Sequence, residues 1–392
     1  MTKNAHQGEL FSLEMIEKFI GFDTTSRESN LPLVDFVCDY LTRLGVQSTL
    51  TFDADRRKAN LFATIGPADQ PGIILSGHTD IVPVHDQDWS SDPFTLTRRE
   101  GKIFGRGVCD MKGFLAIATA FAPEFAKRTL KTPVHLAMSF DEEVGCLGVP
   151  LLISDLARRG LKPLACIVGE PSEMGVIRAH KGKIGGHVRV TGLPAHSGVA
   201  HQGVNAVEAA AQAIAYFKKI QRRLRDEGPY DEDFLDPKYS TIQCCMVNGG
   251  TAVNIVAGHC TFDFDIRFLP GENPDSYVEE CQAFVRKHVE PEMHALSPQT
   301  GFVWEKVPGA AALNTDDDAD VAVMVKELAE RNASTCVGFG TEAGHFQEAG
   351  IPTVICGPGS IDQAHKADEF ITLDQVARCE RFMWRLIDKV AA

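Results

Sequence analysis

Long apolar segments are absent from this sequence: no stretch reaches the roughly 20 consecutive apolar residues that a membrane-spanning helix needs. The first residues, MTKNAHQGELFS, also lack the basic segment followed by an apolar segment that marks a secretory signal peptide. With 44% hydrophobic and 23% charged residues, the composition is typical of a soluble globular protein. We therefore predict a cytoplasmic protein with no membrane partner.

No Cys-x-x-Cys pair occurs, although the chain contains 11 cysteines. The number is odd, and most of the cysteines stand in apolar segments, such as Cys166 in LACIVGE and Cys356 in TVICGPG. Disulfide frameworks and thiolate zinc sites require paired cysteines at regular spacings. We expect these thiols to be reduced and packed in the core.

Basic residues are in deficit, with 39 Lys and Arg against 53 Asp and Glu and a net charge of −14. Binding of nucleic acid requires a basic surface, so this balance excludes nucleic acid as a partner. Three further motifs are absent: His-Glu-x-x-His, Gly-x-Ser-x-Gly and the phosphate-binding P-loop. The single-zinc protease, serine hydrolase and NTPase classes therefore have no support.

The chain is longer than one ordinary core requires, because domains average about 100–200 residues, and we expect two or three domains. Apolar β-rich runs at 72–76, 133–140 and 164–169 alternate with helical patterns. This alternation predicts an α/β fold with a mainly parallel sheet and helices on both of its faces.

The order of strand-like and helical patterns changes after residue 181. The segment 182–297 contains β-rich and helical runs in the order β-α-β-β-α, which predicts a compact α+β insert. The strand and helix patterns after residue 298 fit a return to the first domain. We therefore predict a discontinuous first domain of residues 1–181 and 298–392 and an inserted domain of residues 182–297.

Histidines and acids stand where predicted strands end. His78 is the first polar side chain at the end of the apolar run that starts at Gly72, and Asp80 follows it. In an open α/β sheet, ligands bind at the carboxyl ends of the strands. Taken alone, His78 is better explained as a hydrogen-bonded histidine in a turn. The same kind of position recurs, however, at Asp110, Glu142, Glu143, Glu170 and His365.

Imidazoles and carboxylates in this number suit a pair of metal ions. One imidazole and one terminal carboxylate for each ion, with a shared aspartate, would give two N/O sites about 3.5–4 Å apart. The adjacent Glu142 and Glu143 cannot point the same way on an extended segment, so one can bind metal while the other faces the substrate as a base. The alternative is a set of structural ion pairs, although buried carboxylates are rare unless they are paired or bind metal.

The segments GHTDIVP, GRGVCDMKG, DEEVG, GEPS and QAHKADEF resemble, in this order, the motifs of the dizinc aminoacylase/carboxypeptidase family. The resemblance runs nearly from end to end. Six further segments are most similar to one branch of that family, the bacterial acetylornithine deacetylases: DPFTLT, VRAHKG, GVNAVE, DIRFLPG, GTEA and GPGSIDQAH. Two segments differ from that branch, namely GTEAGHF in place of Thr-Glu-Ala-Pro and DEEVG in place of a Thr-Ser continuation. Both differences bear on which acyl group and which amino-acid side chain the substrate carries.

The resemblance implies a catalytic domain that holds two zinc ions, for which cobalt or manganese can substitute. In the family pattern, His78 and Glu170 hold one ion and Glu143 and His365 hold the other, with Asp110 as the bridge. The pattern further implies that Asp80 orients His78 and that Glu142 is the general base.

The resemblance also assigns residues outside the metal centre. It implies that the insert is a lid through which a homodimer forms, and that His196 in GLPAHSG reaches the active site of the partner subunit. Arg267 is expected to bind the substrate carboxylate, with Asn254 as a further substrate-binding residue. We expect Glu342 in GTEAGH to meet a cationic substrate side chain.

These expectations describe a metal-dependent amidohydrolase that removes an Nα-acyl group, with acetyl favoured, from a small amino acid. The favoured reaction converts N-acetylornithine to ornithine and acetate in arginine biosynthesis. The alternatives within this class are a desuccinylase of N-succinyl-diaminopimelate and a broader aminoacylase or carboxypeptidase. An alternative from another class is an inactive homologue that binds metal and an amino-acid derivative. Glu142 argues against it, because a protein that only binds has no use for an unligated base beside the metals.

Overall fold

The computed structural model describes residues 10–234 and 236–392. Residues 1–9 of the predicted first domain and Leu235 of the predicted insert lie outside the described residues. None of the described helices combines the length and the apolar character that crossing a bilayer requires.

The described residues form ten α-helices, which are α1 Leu13–Ile20, α2 Leu31–Arg43, α3 Lys112–Ala126, α4 Val149–Arg158, α5 Ala206–Glu227, α6 Asp275–His288, α7 Glu290–Leu296, α8 Asp320–Ala329, α9 Ala343–Glu348 and α10 Leu373–Val390. They also form 16 strands, which are β1 Ser48–Phe52, β2 Ala59–Ile65, β3 Ile73–His78, β4 Thr97–Arg99, β5 Lys102–Phe104, β6 Val134–Ser139, β7 Ala165–Pro171, β8 Val176–His180, β9 Gly182–Thr191, β10 Thr241–Gly249, β11 His259–Phe268, β12 Gly301–Ala310, β13 Leu313–Asn314, β14 Ser334–Val337, β15 Thr353–Gly357 and β16 Phe370–Thr372. Short 3₁₀ helices cover Ser197–Gln202 and Ile361–Gln363.

The chain divides into two compact units. The first contains the described residues up to Ala179, together with Leu313–Thr335 and Thr341–Ala392, and the second contains His180–Ala312 and Cys336–Gly340. The insert predicted from the sequence ended at residue 297, whereas the second unit continues to Ala312. The difference arises because β12 pairs antiparallel with β9 and so completes the sheet of the second unit.

A large sheet forms the centre of the first unit, with the strand order β1-β2-β6-β3-β7-β15-β8-β13 and with β14 paired to β8. The central neighbours β6, β3, β7 and β15 run parallel to one another, while β1, β2 and β8 join antiparallel. Every residue of β3, β6 and β7 is buried, as expected for parallel strands covered on both faces. The predicted α/β class with a mainly parallel sheet is thus confirmed.

Helix α3 packs closely on the carboxyl end of this sheet. A Cβ atom added at Gly169 of β7 would lie 2.0 Å from the ring of Phe114, and one added at Gly77 of β3 would lie 2.3 Å from Met111 Cε. Glycine is therefore required at position 169, because a side chain there would displace the Phe114 ring, whereas at Gly77 the flexible end of Met111 would have to move. This close packing places the start of α3, and Asp110 before it, beside the ends of β3 and β7.

The second unit is built on a separate antiparallel sheet with the order β10-β11-β9-β12. Burial alternates along β11, so that one face of the strand packs in a core with α5 and α6 and the other does not. The core contains Val188 of β9, Phe217 of α5 and Phe262 of β11. Asn205 caps the start of α5, because its side chain accepts hydrogen bonds from the main-chain N–H groups of Val207 and Glu208.

Candidate active site

The first unit brings the predicted metal ligands together at the carboxyl edge of its parallel strands. His78 ends β3, Glu170 lies near the end of β7, and Asp110 directly precedes Met111 and α3. Glu143 follows β6, and His365 lies in the loop between the second 3₁₀ helix and β16. The strand-end pattern in the sequence therefore identified one cluster.

His78, Asp110 and Glu170 form the first group of possible ligands, with one ligand atom of each within 4.8 Å of the others. His78 Nε2 lies 3.0 Å from Asp110 Oδ1 and 3.7 Å from Glu170 Oε1. The other ring nitrogen, Nδ1, lies 2.9 Å from the main-chain oxygen of Asp80. A carbonyl oxygen can only accept, so Nδ1 carries a proton, and loss of the proton on Nε2 would leave that nitrogen with a lone pair for a metal.

Asp110, Glu143 and His365 form the second group. His365 Nε2 lies 3.0 Å from Glu143 Oε2 and 3.3 Å from Asp110 Oδ2. Asp110 thus turns Oδ2 toward His365 and Oδ1 toward His78, so its carboxylate lies between the two imidazoles. His365 is held in the left-handed backbone region at φ 63°, an uncommon conformation for a residue other than glycine. A sparsely populated backbone conformation of this kind is often retained at functional sites.

Asp80 supports the cluster through the main chain. Its Oδ1 accepts the N–H of Glu142 at 3.0 Å, and its Oδ2 accepts the N–H of Glu143 at 3.2 Å. Oδ2 also accepts the hydroxyl of Ser26 at 2.9 Å. The carboxylate of Asp80 lies 3.5 Å from His78 Nδ1, so one buried side chain contacts both the imidazole and the turn that presents the two glutamates. The sequence had suggested only the contact with His78.

Glu142 and Glu143 have different surroundings, as expected for adjacent residues whose side chains point in different directions. Among the residues that the structure describes, Glu142 belongs to neither group of possible ligands, and its Oε1 accepts a weak hydrogen bond from Cys146 Sγ at 3.5 Å. Burial, together with the charges of Glu143 and Asp110, raises the pKa of Glu142 to about 8 against the opposing charge of His78. Glu142 is therefore an unligated carboxylate beside the candidate metal ligands.

The cluster carries more negative charge than its own side chains neutralise. Burial, followed by the charge of Asp110, raises the pKa of Glu170 well above its ordinary value and raises that of Glu143. No Lys or Arg among the described residues forms an ion pair with either glutamate or with Asp110. Buried carboxylates that lack a basic partner fit bound cations, and the N/O donor set suits zinc, cobalt or manganese.

Glu369 is a functional residue that the sequence argument missed. Its Oε1 accepts the main-chain N–H groups of Cys109 at 2.7 Å and Asp110 at 3.0 Å, and its Oε2 accepts Arg106 Nη1 at 2.8 Å and the N–H of Gly107 at 3.0 Å. Arg106 and Glu369 are both 1% exposed. The buried pair fixes the loop that presents Asp110. The signal was present, because Glu369 lies in the same QAHKADEF segment as His365.

Glu342 has different surroundings from those expected. It is fully buried, and its two carboxylate oxygens accept hydroxyl groups from Ser76 at 2.7 Å and Ser139 at 2.5 Å. A cationic substrate side chain would have to displace these partners and enter the core. The contacts argue against the predicted pairing and give Glu342 a structural role, in which it links β3 and β6 behind the ligands.

The remaining predicted residues belong to the second unit. His196 is exposed, and its Nδ1 accepts the main-chain N–H of Gly198 at 3.0 Å. The segment of Asn254 pairs with the His196 loop, since the oxygen of Asn254 accepts the N–H of Ser197 at 2.9 Å. Arg267 of β11 donates from Nε to Asp265 Oδ1 at 2.9 Å and is about one third exposed, at 33%. His196 and Asn254 therefore share one loop cluster.

These features define a class of protein, one with a dinuclear metal centre at the carboxyl edge of a parallel sheet. The model of peptidase family M20/M25/M40 matches residues 74–389, and the chain belongs to that family. An acetylornithine deacetylase of Pasteurella multocida (strain Pm70) is 33% identical over 361 residues, which cover 92% of this chain and 91% of the relative. The family and this relative together establish a metal-dependent amide hydrolase.

Solved structures agree with this fold. An M20 family metallo-carboxypeptidase from Sulfolobus solfataricus superposes with a TM-score of 0.74 at 17% identity, covering 96% of this chain and 98% of that one. A dinuclear metal binding peptidase of the M20 family from Bacillus subtilis superposes with a TM-score of 0.63 at 14% identity, covering 97% and 98%. At these identities the likeness shows a shared fold.

Proposed function

We propose that this chain hydrolyses the amide bond of Nα-acyl amino acids, and that its favoured reaction converts N-acetylornithine to ornithine and acetate in cytoplasmic arginine biosynthesis. The observation that supports hydrolysis is the position of Asp110 between two groups, each made of one imidazole and one carboxylate. Glu142 lies beside both groups and belongs to neither. The deacetylase from Pasteurella multocida, similar over most of both chains, supports the choice of acetylornithine.

His78 and Glu170 would hold one metal ion, Glu143 and His365 the other, and Asp110 would contact both. Zinc is the expected metal, and cobalt or manganese would suit the same donors. Bound ions of this kind polarise an amide carbonyl and lower the pKa of a coordinated water. Asp80 and Glu369 act through the main chain, because they fix the segments that carry Glu143 and Asp110.

Glu142 is the proposed general base. In amide hydrolysis the water oxygen bonds to the carbonyl carbon, the bond from carbon to nitrogen breaks, and one proton must pass from the water to the departing amine. A carboxylate that contacts the reactants without binding a metal can accept this proton and deliver it. Among the described acids of the cluster, Glu142 and Asp80 lie outside both ligand groups, and the carboxylate of Asp80 is occupied by Ser26 and by main-chain N–H groups.

The second unit supplies the proposed substrate contacts. His196 accepts a main-chain N–H at Nδ1, so its proton resides on Nε2, where it can be donated to a carbonyl oxygen that gains negative charge. Arg267 has guanidinium N–H groups beyond the one bound to Asp265, and these can bind the substrate α-carboxylate as a fork. Asn254 lies on the loop paired with His196. The unit is also the proposed surface of a homodimer.

A panel of Nα-acyl amino acids tests the proposal when it is assayed with the metal-loaded chain and with Glu142→Gln. We expect the highest kcat/KM for acetylornithine, and a loss of roughly 10²–10⁴-fold in kcat for the variant, with its metal content unchanged. Highest turnover of N-succinyl-diaminopimelate or of a dipeptide would reject acetylornithine and keep the reaction class. Metal binding without turnover of any substrate would reject hydrolysis.

A further inference from the structure

Four arginines surround one surface cavity of the first unit. The cavity has a volume of about 260 Å³, and its charged lining residues are Glu330, Arg331, Arg378, Arg381 and Arg385. Such a gathering stands out in a chain with 53 acidic and 39 basic residues. Among the described residues, the hydrogen bonds and ion pairs of these arginines involve no residue of the metal cluster, so the proposed function does not account for them.

The helical repeat explains how the cavity forms. Arg378, Arg381 and Arg385 are spaced by three and four residues on α10 and therefore share one side of it. The core side of the same helix carries Phe382 and Met383. Arg331 follows the end of α8, where Glu330 adopts the left-handed conformation at φ 56° and turns the chain. The arginines thus come from two elements.

Main-chain carbonyl groups hold two of the guanidinium groups in place. Arg331 donates from Nε to the oxygen of Met174 at 3.1 Å and from Nη2 to the oxygen of Glu173 at 2.8 Å. Arg385 donates from Nη1 to the oxygen of Leu328 at 2.9 Å. Carbonyl partners fix the orientation of a guanidinium group but carry no net charge. The site is therefore pre-organised, and its positive charge is only partly neutralised.

Acidic partners are fewer than the arginines. Arg378 pairs with Asp374 and Arg385 pairs with Glu330, and these two carboxylates are 60% and 66% exposed. Within the part of the chain that the structure describes, Arg331 and Arg381 have no carboxylate partner. A structural role, the capping of the last carbonyl groups of α8, explains the position of Arg385 but not the positions of the other three arginines. Arg381 makes no such contact and still lines the cavity.

We propose that this cavity binds a small multivalent oxyanion, a phosphate group or a polycarboxylate. Planar guanidinium groups bind phosphate and carboxylate oxygens in pairs, and two fixed groups reduce the ordering cost of binding. The volume is below the roughly 300–1,000 Å³ of pockets for drug-sized ligands, which favours a small anion over a nucleotide. The ligand differs in class from the acyl amino acid of the metal centre.

Titration calorimetry of the full, metal-loaded chain with inorganic phosphate tests this proposal, with chloride used to hold the ionic strength constant. We expect saturable binding that weakens about tenfold in Arg381→Gln and further in Arg381→Gln/Arg385→Gln, since each change removes a charge-assisted hydrogen bond. Arg381→Lys should keep part of the affinity, because it retains the charge without the fork. A parallel titration with citrate shows whether the cavity prefers a polycarboxylate or a phosphate group, because the two affinities can be compared directly.

Arg43→Gln is the matched control, because it removes one exposed arginine of the first unit that does not line the cavity. It should bind phosphate as the wild type does. The double variant must also show the wild-type melting temperature in phosphate-free buffer, which separates lost binding from lost folding. Phosphate binding that survives the double substitution takes place elsewhere, for example at the metals. The proposal would be overturned if the double variant bound phosphate as tightly as the wild type, or if the wild type bound neither phosphate nor citrate.

Discussion

The carboxylate of Glu369 accepts a hydrogen bond from the main-chain N–H of Asp110 at 3.0 Å, and the same oxygen accepts the N–H of Cys109 at 2.7 Å. One buried acid thus fixes the two successive peptide groups that precede the proposed bridging residue. The charge of Glu369 is balanced by Arg106, whose guanidinium group lies 5.0 Å from the ring centroid of Trp89. The position of Asp110 therefore depends on residues that do not touch the metal site.

Glu369→Gln should weaken metal binding without removing a ligand. The amide would place a donor against main-chain N–H groups that need an acceptor, and the loop of Asp110 would shift. Loss of a residue that orients a ligand typically costs about 10–100-fold in metal affinity. Competition with a chromogenic chelator measures this affinity.

Glu380→Gln provides the control for that measurement. Glu380 is another buried acid, and it accepts the N–H and the hydroxyl of Ser12, away from the ligand loop. This variant should lose stability but keep the wild-type metal affinity. Equal effects of the two substitutions on metal affinity would show that Glu369 contributes only general stability.

The contrast between Asp110 and Glu369 shows what the sequence could predict. Asp110 was identified because it belongs to a recurring pattern of acids and histidines in the sequence. Glu369 stands in a motif segment, but nothing in that segment shows what it binds, since its partners lie 259 to 263 residues earlier in the chain. Burial of a paired acid depends on contacts that form only in the folded chain.

Strand partners are equally hard to predict from local sequence. The pattern of β12 indicates a strand, but the choice between the two sheets depends on its pairing with β9. The surroundings of Glu342 also depend on distant residues, because its hydroxyl partners Ser76 and Ser139 lie on two different strands. Local periodicity therefore predicted the elements and the cluster, while non-local pairing fixed the border of the second unit.

Removal of one imidazole should abolish one of the two metal sites and leave the other. Elemental analysis of the wild type should give about two divalent ions per chain, as expected for a dinuclear centre. His365→Ala should retain about one, because His78, Asp110 and Glu170 form a separate group. His187→Ala, a change at a half-exposed histidine of β9 that pairs with Asp263, should keep both. A wild type with a single ion would contradict the dinuclear centre.

Acid should destabilise the first unit through His135. This histidine of β6 is 2% exposed, stacks on Phe62 with ring centroids 5.0 Å apart, and has Nδ1 3.0 Å from Thr64 Oγ1. Burial, followed by the charge of Arg159, lowers the pKa of His135 from 6.5 to about 4. Between these two values the unfolded chain binds a proton that the folded chain does not. The free energy of unfolding should therefore fall as the pH falls from 6.5 to 4.

The size of this effect follows from the same pKa difference and is about 3 kcal/mol at most. Denaturant titrations of the metal-free wild type and of His135→Gln between pH 8 and pH 4 isolate it, because other titrating groups are common to both chains. The stability difference between the two should be constant above pH 7 and should shift in favour of the variant below pH 6.5. Parallel curves down to pH 4 would show that His135 is not held neutral.

His196 should act on the active site of the partner subunit in a homodimer. Its Nδ1 is occupied by the N–H of Gly198, so the imidazole presents Nε2–H from an exposed loop of the second unit. Removal of a donor to a carbonyl oxygen that gains negative charge typically lowers kcat about 10²–10³-fold. His196→Ala should show this loss with an unchanged metal content, and His196→Gln, which keeps an N–H donor, should recover part of the rate.

Mixing two inactive variants decides between action within one chain and action across the dimer. Glu142→Gln chains and His196→Ala chains are combined under conditions that allow subunits to exchange. If His196 acts across the dimer, a mixed dimer has one site that lacks both groups and one site that is intact. Random exchange makes half of the dimers mixed, so activity should return to about a quarter of the wild-type value. If His196 acts within its own chain, each site of a mixed dimer carries one defect, and the mixture stays inactive.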